Sequence, residues 1–181
     1  MCGVFLKKNK IREILIVGGT GNLGQNIIKY YRHRNLVYPG KENLNILNKQ
    51  SIIKNIKKNT DVIINCAGLP RIRECESKPD KAFQLNVIGV KNLVESVLKA
   101  EKKFKKKISL IHLSSDAVYK SLSGNYKEND KCIPQNIYGK TKLQGEKFVK
   151  KLKNYTIIRT RFFNKNKIKY KDAAIDIFSS M

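Results

Sequence analysis

The chain predicts an α/β fold, a doubly wound parallel sheet with helices on both faces. Three observations carry this. An apolar run, Ile14 to Val17, breaks into Gly18-Gly19-Thr20-Gly21-Asn22-Leu23-Gly24 and then into a helix-like segment. Strand-like and helix-like segments go on alternating along the chain, the pattern of parallel strands joined by helical crossovers. Two strand-like runs, Asp61 to Cys66 and Ile108 to Leu113, are almost wholly apolar, as strands covered on both faces must be.

Taken in order, Ile14 to Val17 is the first strand and Asn22 to Tyr31 the first helix. Leu36 to Tyr38 is a short second strand. Ser51 to Lys57 reads as a helix, with the Ser51 hydroxyl available as N-cap acceptor. Asp61 to Cys66 is the third strand and runs into Ala67 and Gly68. From Pro79 to Lys99 the apolar positions Ala82, Phe83, Leu85, Val90, Leu93 and Val97 recur with helical period, which predicts one long helix. Ile108 to Leu113 is the fourth strand, with Ser114, Ser115 and Asp116 at its carboxyl end. Tyr138 to Leu152 is a helix and Tyr155 to Arg159 the last strand. No repeat or long linker interrupts this, so residues 1–163 form one Rossmann-like domain and 164–181 a short tail holding at most one helix, Asp172 to Phe178.

At 181 residues and 41% hydrophobic content the chain can bury one core. No apolar stretch approaches the ~20 residues that span a bilayer. The opening MCGVFLKKNK is too short and too soon charged for a signal peptide, so a cytoplasmic location is expected. Cys2, Cys66, Cys75 and Cys132 show neither Cys-x-x-Cys spacing nor clustered histidines, which predicts reduced thiols and no metal. The formal net charge is +24, but the lysines are spread along the chain among many Asn, Ile and Tyr residues. The densest runs, Lys102 to Lys107 and Lys147 to Lys153, sit at the ends of amphipathic segments and read as solvated helix faces. Neither specific nucleic-acid binding nor membrane association is expected, only weak salt-sensitive adhesion to polyanions.

The glycine turn is the strongest chemical signal. It satisfies both Gly19-x-Gly21-x-x-Gly24 and Gly18-x-x-Gly21-x-x-Gly24 after a first strand, so one glycine permits the turn, one admits a pyrophosphate, and one lets the helix pack close. The following helix start offers unpaired N–H groups and the positive end of its dipole. Ligands of such sheets bind beyond the carboxyl ends of the strands, which puts Gly18 to Gly24, Ala67, Gly68, Ser114 and Ser115 along one crevice. Tyr138 and Lys142 are four apart, so on a helix both face the same way and the ammonium could lower the phenol pKa. With 8 Tyr and 38 basic residues in 181 positions, that spacing alone carries little weight. Its context, Pro134-Gln135-Asn136-Ile137-Tyr138-Gly139-Lys140-Thr141-Lys142 with Glu146 one turn on, carries more. Ser115, at the end of a buried strand, could bond a carbonyl oxygen. Asn86 is read as ordering nearby backbone, and Asp116 as a turn-former.

Seven ordered pieces, namely GGTGNLG, NCAG at Asn65 to Gly68, LNVIG at Leu85 to Gly89, HLSSDAVY at His112 to Tyr119, YKEND at Tyr126 to Asp130, PQNIYGKTKLQGE at Pro134 to Glu146 and IIRTRFF at Ile157 to Phe163, resemble the extended short-chain dehydrogenase/reductases. Within them the chain is most similar to the dTDP-4-dehydrorhamnose reductase group. The resemblance implies NAD(P)H-dependent reduction of a 4-keto-6-deoxy nucleotide sugar. It assigns Ser115 as the carbonyl-orienting hydroxyl, Tyr138 as general acid, and Lys142 as the phenol's partner and a donor to the nicotinamide ribose. Gly18, Gly21, Asn22, Leu23 and Gly24 would hold the pyrophosphate, with Ala67 and Gly68 beside the adenosine. Asn45 and Ile46 stand where relatives often place an Asp and an aliphatic residue at the adenine, and Arg159 with Thr160 would line the nicotinamide or substrate edge. Helices around the Pro79 and Tyr138 segments pair in many relatives, so the resemblance allows a homodimer without fixing the oligomeric state.

Two features depart from the pattern. No acidic residue stands clearly ~20 positions past the glycines to hold a ribose 2′-hydroxyl. Arg32, Arg34, Lys41 and Glu42 surround that place, which favours NADP over NAD. Relatives also continue for on the order of a hundred residues beyond the last strand, supplying the lobe that grips the sugar. With only Asn164 to Met181 in its place, poor activity is expected. The alternatives are a non-catalytic NAD(P)-binding regulatory or scaffold relative and another nucleotide-sugar epimerase or dehydratase. The single acid of Ser115-Asp116 counts mildly against a dehydratase.

Overall fold

A computed structural model describes residues 11–31, 35–120 and 124–161. The tail at 164–181 with its expected helix, and the basic pair Arg32 and Arg34, lie outside the described residues. Five strands, β1 (Glu13–Val17), β2 (Leu36–Val37), β3 (Thr60–Asn65), β4 (Ser109–Ser115) and β5 (Tyr155–Thr160), form one sheet in the order β2-β1-β3-β4-β5. Every neighbouring pair is parallel, and one register row runs Leu15, Ile63, Leu110, Tyr155 across the sheet. The fold class is the one the alternation of segments predicts.

Side chains alternate across each strand, which sorts the apolar runs into two cores. Leu15, Val17, Ile63 and Leu110 pack with α2 (Lys49–Asn55), α5 (Gly89–Phe104) and α6 (Ile137–Val149) through Ile52, Leu93 and Val149. Ile14, Ile16, Val62, Ile64, Ile111 and Leu113 face the other way, toward Ile27 of α1 (Asn22–Tyr30). Leu15, Ile16, Ile63 and Leu110 are wholly buried, each contributing about 1.5–3 kcal/mol of transfer free energy.

Three local readings need correction. Ser51 is not the N-cap of α2: the helix begins at Lys49, because the Asn48 side chain accepts from the amides of Gln50 and Ser51 at 2.9 and 3.1 Å. The Ser51 hydroxyl instead faces the carbonyls of Asn45 and Asn48. The long helix from Pro79 is divided into α4 (Pro79–Phe83), a π-helical turn at Gln84–Ile88, and α5. The turn buries Asn86, whose amide is committed to the backbone of Leu69. A further short helix, α3 (Ile72–Ser77), precedes it; its apolar face is only Cys75, too little to show a period.

Candidate functional site

Strand order reverses at β1, with β2 on one side and β3 on the other, and the crevice beyond these carboxyl ends is the ligand position of open α/β sheets. The glycine turn fills its floor. Gly18 has a left-handed backbone, φ +81°, and a Cβ there would stand 2.7 Å from the Ala67 nitrogen. A Cβ on Gly24 would stand 2.5 Å from the Gly18 carbonyl oxygen, so α1 can lie this close only without one. Gly21 differs: the nearest atom to its Cβ position is 3.4 Å away, so the space above it is open. Its N–H donates to the Gly18 carbonyl at 3.1 Å, which closes the turn. Gly21 is the N-cap of α1 and brings no side-chain acceptor, and the first helical turn holds no acid. The leading amides of Asn22, Leu23 and Gly24 and the positive helix end therefore face the crevice. This cradle fits the phosphates of a dinucleotide.

On the β3 side, Asn65 fixes the chain leading to Gly68. Its Oδ1 accepts from the Ala67 N–H at 3.1 Å, and its Nδ2 lies 3.1 Å from His112 Nδ1. That amide orientation makes Nδ1 the acceptor and places the His112 proton on Nε2, which is buried without a partner among the described residues. Burial, with the Lys142 charge nearby, holds the His112 pKa well below its ordinary value. Asn86 acts as the sequence suggests: Oδ1 accepts from the Leu69 N–H at 2.7 Å, while Nδ2 donates to the Leu69 carbonyl and to Thr141 Oγ1. It ties the loop after Gly68 to α6.

α6 carries Tyr138 and Lys142, and its start is clamped. Asn136 accepts from the Gly139 N–H at 2.8 Å, and Glu76 Oε1 accepts from the Ile137 N–H at 2.7 Å. Ser115 ends β4 and accepts from the Ala117 N–H at 3.2 Å, capping the turn Asp116–Val118. The Ser115 hydroxyl donates to Asp116 Oδ1 at 3.2 Å and lies near enough to the Tyr138 phenol to act on its pKa.

Lys142 does not do what its spacing predicts. Its Nζ donates to the Leu113 carbonyl at 2.5 Å, and burial lowers its pKa to about 8. The phenol pKa is raised rather than lowered: burial is the largest cause, opposed by the nearby Ser115 hydroxyl. Electrostatic help for Lys142 comes first from Glu146, one turn further on.

Glu146 and Arg159 form a centre of their own. Glu146 is fully buried and accepts from Ser114 Oγ at 2.5 Å and from Arg159 Nε and Nη2 at 3.0 and 2.7 Å. Arg159 Nη1 donates to the Tyr119 hydroxyl at 2.7 Å and to the Glu128 carbonyl at 3.2 Å. The Glu146 bond raises the guanidinium pKa above its ordinary value. Arg159 therefore joins β5 to α6 and to the segment after Tyr119, rather than extending its guanidinium toward a ligand. Thr160, paired in register with Ser115, ends the adjacent strand. Ile46 is core, packed against Gly89, and Asn45 Oδ1 accepts from the Leu47 N–H at 3.0 Å. Asp116 forms a turn, as read, and pairs with Arg161 at 2.7 Å. Among the described residues no helix is long and apolar enough to cross a membrane, and no cluster of His, Cys, Asp and Glu could hold a metal ion.

Comparison with known proteins gives the family. The RmlD substrate binding domain matches residues 12–171. The beta subunit of methionine adenosyltransferase 2 from Rattus norvegicus is 36% identical over 148 residues, 76% of this chain and 42% of that one. The dTDP-4-dehydrorhamnose reductase of Aggregatibacter actinomycetemcomitans is 34% identical over 154 residues, 81% of this chain and 49% of that one. The chain thus spans about half the length of the curated relatives it matches. Among solved structures, the Bacillus anthracis dTDP-4-dehydrorhamnose reductase in complex with NADP superposes with a TM-score of 0.75 at 25% identity, covering 97% of this chain and 62% of that one. The chain belongs to the RmlD substrate-binding domain family, among the dTDP-4-dehydrorhamnose reductase homologues of the extended short-chain dehydrogenase/reductase superfamily.

Proposed function

We propose that this chain binds NAD(P) at the Gly18 to Gly24 turn and forms the cofactor half of a reductase acting on a 4-keto-6-deoxy nucleotide sugar. The observation that carries the reading is the placement of Ser115, at the end of β4, near Tyr138, at the start of α6, on the carboxyl edge of the sheet that also holds the open phosphate cradle. The reductase relative and the NADP complex support it. Exposed Lys41 just past β2, with no acid directly following the strand, favours NADP.

A bound nicotinamide would supply the hydride to the carbonyl carbon. Ser115 Oγ–H would donate to the carbonyl oxygen and orient it. Tyr138, kept protonated by burial, would deliver its proton to that oxygen as charge develops there. Lys142, freed from the Leu113 carbonyl, would reach the nicotinamide ribose while its charge steadies the phenolate left behind.

A second reading is favoured by the methionine adenosyltransferase relative and by Lys142 being held on the Leu113 carbonyl: a cofactor-holding, non-catalytic regulatory or scaffold protein. Titration with NADPH and NADH, followed by an assay on a dTDP-linked 4-keto-6-deoxy sugar, separates the two. Turnover abolished by Tyr138→Phe supports the reductase. Tight binding without turnover, unchanged by Tyr138→Phe, supports the second reading, and binding of neither cofactor refutes both.

A further inference from the structure

The amino ends of the strands, opposite the cofactor cradle, gather lysines that the sequence keeps apart. Lys102, Lys103 and Lys105 close α5 and lead into β4, while Lys150, Lys151 and Lys153 close α6 and lead into β5. Leu110 pairs with Tyr155, and the Leu110 N–H donates to the Asn154 carbonyl at 3.1 Å, so the two turns lie side by side. A third basic turn joins them: Lys106 Nζ donates to the Lys58 carbonyl at 3.0 Å, beside Lys57.

The acids at this end are already engaged. Asp61 pairs with Arg12 at 2.8 Å and with Lys106 at 2.7 Å, bonds that hold its carboxyl below the usual range against the effect of burial. Glu101 accepts from the Ile108 N–H at 2.9 Å and lies 3.7 Å from Lys107. Glu13 takes the Thr60 hydroxyl. Among the described residues, none of the six lysines on the paired turns has a carboxylate within ion-pair distance, and all six are exposed. What reads along the chain as two solvated helix ends is one cationic edge in space.

Aromatic rings interleave with these charges. Lys103 Nζ lies 5.3 Å from the Phe104 ring centre and Lys151 Nζ 5.0 Å from that of Phe148. Of the exposed large apolar residues, Tyr155 opens β5 at this edge and Leu98, one turn before Lys102, is the single aliphatic beside it among the described residues. A bilayer-binding edge would present aliphatic side chains for insertion. Phe104 and Phe148 are half-buried against the core, so the lysines and the exposed Tyr155 ring are what this edge offers, a combination that suits a flexible phosphate backbone with a base to stack.

We propose that the edge where the α5–β4 and α6–β5 turns meet binds single-stranded RNA through its backbone, without sequence preference. It is separate from the cradle at the other end of the sheet, so it stands or falls independently of the cofactor reading.

The test is fluorescence polarisation of a fluorescein-labelled oligouridylate of about 20 nucleotides against the whole chain, across about 50 to 200 mM salt. With about four phosphates engaged, log K falls with log salt at a slope of about −3. Reversing Lys102, Lys103 and Lys105 together to Glu weakens binding at least about tenfold and flattens the slope by about 2. Reversing Lys78, Lys127 and Lys131, exposed lysines beyond the carboxyl ends of the strands, makes the same change in net charge and weakens binding less than about threefold. Circular dichroism checks the fold, and the triple Gln variant at 102, 103 and 105 loses affinity in the same direction should the reversal misfold. Equal losses in the two reversed triples overturn the proposal, since net charge alone then explains binding. Displacement by excess NADPH overturns it by placing the RNA in the cradle. Stronger binding to phosphatidylserine-containing vesicles or to polyglutamate than to the oligonucleotide overturns it by naming another partner.

Discussion

Replacing Gly21 and Gly24 separately by Ala divides what the turn does for the fold from what it does for a ligand. The Gly24 Cβ position lies 2.5 Å from the Gly18 oxygen and 2.6 Å from the Gly19 Cα. Ordinary contact begins near 3.4 Å, so α1 must move outward by about 0.9 Å, an overpacking expected to cost about 1–3 kcal/mol. The displaced helix start also loses its aim at a phosphate. Gly21 has a Cβ position already at 3.4 Å and a backbone φ of −77° that Ala adopts without strain. Gly21→Ala should therefore change stability by less than about 0.5 kcal/mol, yet place a methyl group where phosphate oxygens must approach the amides. Urea denaturation and titration of NADPH fluorescence on each variant make the comparison. The expected result is weaker binding in both and lower stability only in Gly24→Ala. Undiminished NADPH affinity in Gly21→Ala would refute the assignment of the cradle.

The remaining expectations are as follows. Glu146→Ala strands the Arg159 guanidinium, whose side chain is 15% exposed, and should cost about 3–5 kcal/mol in chemical denaturation; Ser114→Ala removes one charge-assisted bond and should cost about half of that. Lys142 has a folded pKa of about 8, below its ordinary value of 10.5, because it is buried. Between those values the unfolded chain binds more protons, so this residue's contribution to stability is least favourable below pH 8 and improves as pH rises toward 10.5. The gain is on the order of 3 kcal/mol, and the stability difference between wild type and Lys142→Met should change across this window; a flat difference would count against a buried ammonium. Asn86→Ala leaves the Leu69 N–H unpaired and its carbonyl with the Cys75 thiol alone, and should destabilise by about 1–3 kcal/mol, with loss of amide protection at Leu69 in hydrogen exchange.

The sheet was legible because its strands are continuous apolar runs, a pattern set by burial on both faces and independent of partners. The phosphate turn was legible because its glycines answer to sterics within a few residues. The clamp on α6 was not. Asn86 and Glu76 act through bonds to backbone distant in sequence, and polar residues show no period that announces such a bond; Asn136, bonded three residues on, is the local part of the clamp. Arg159 could have been suspected from a guanidinium on a strand otherwise reading Tyr-Thr-Ile-Ile, and Glu146 from an acid on the face of α6 that carries Lys142. Tyr138 and Lys142 share a helix face as their spacing requires, but spacing is silent about competing acceptors, and the Leu113 carbonyl takes the ammonium. The lysine runs were misleading for the same reason: only the parallel topology brings the turns before β4 and β5 together.

Hydrogen exchange of the backbone amides from Gly18 to Gly24, with and without saturating NADP, puts the claim about the start of α1 to the most direct trial. Protection centred on Asn22, Leu23 and Gly24 is the predicted result. Unchanged exchange there while NADP is bound elsewhere would contradict it.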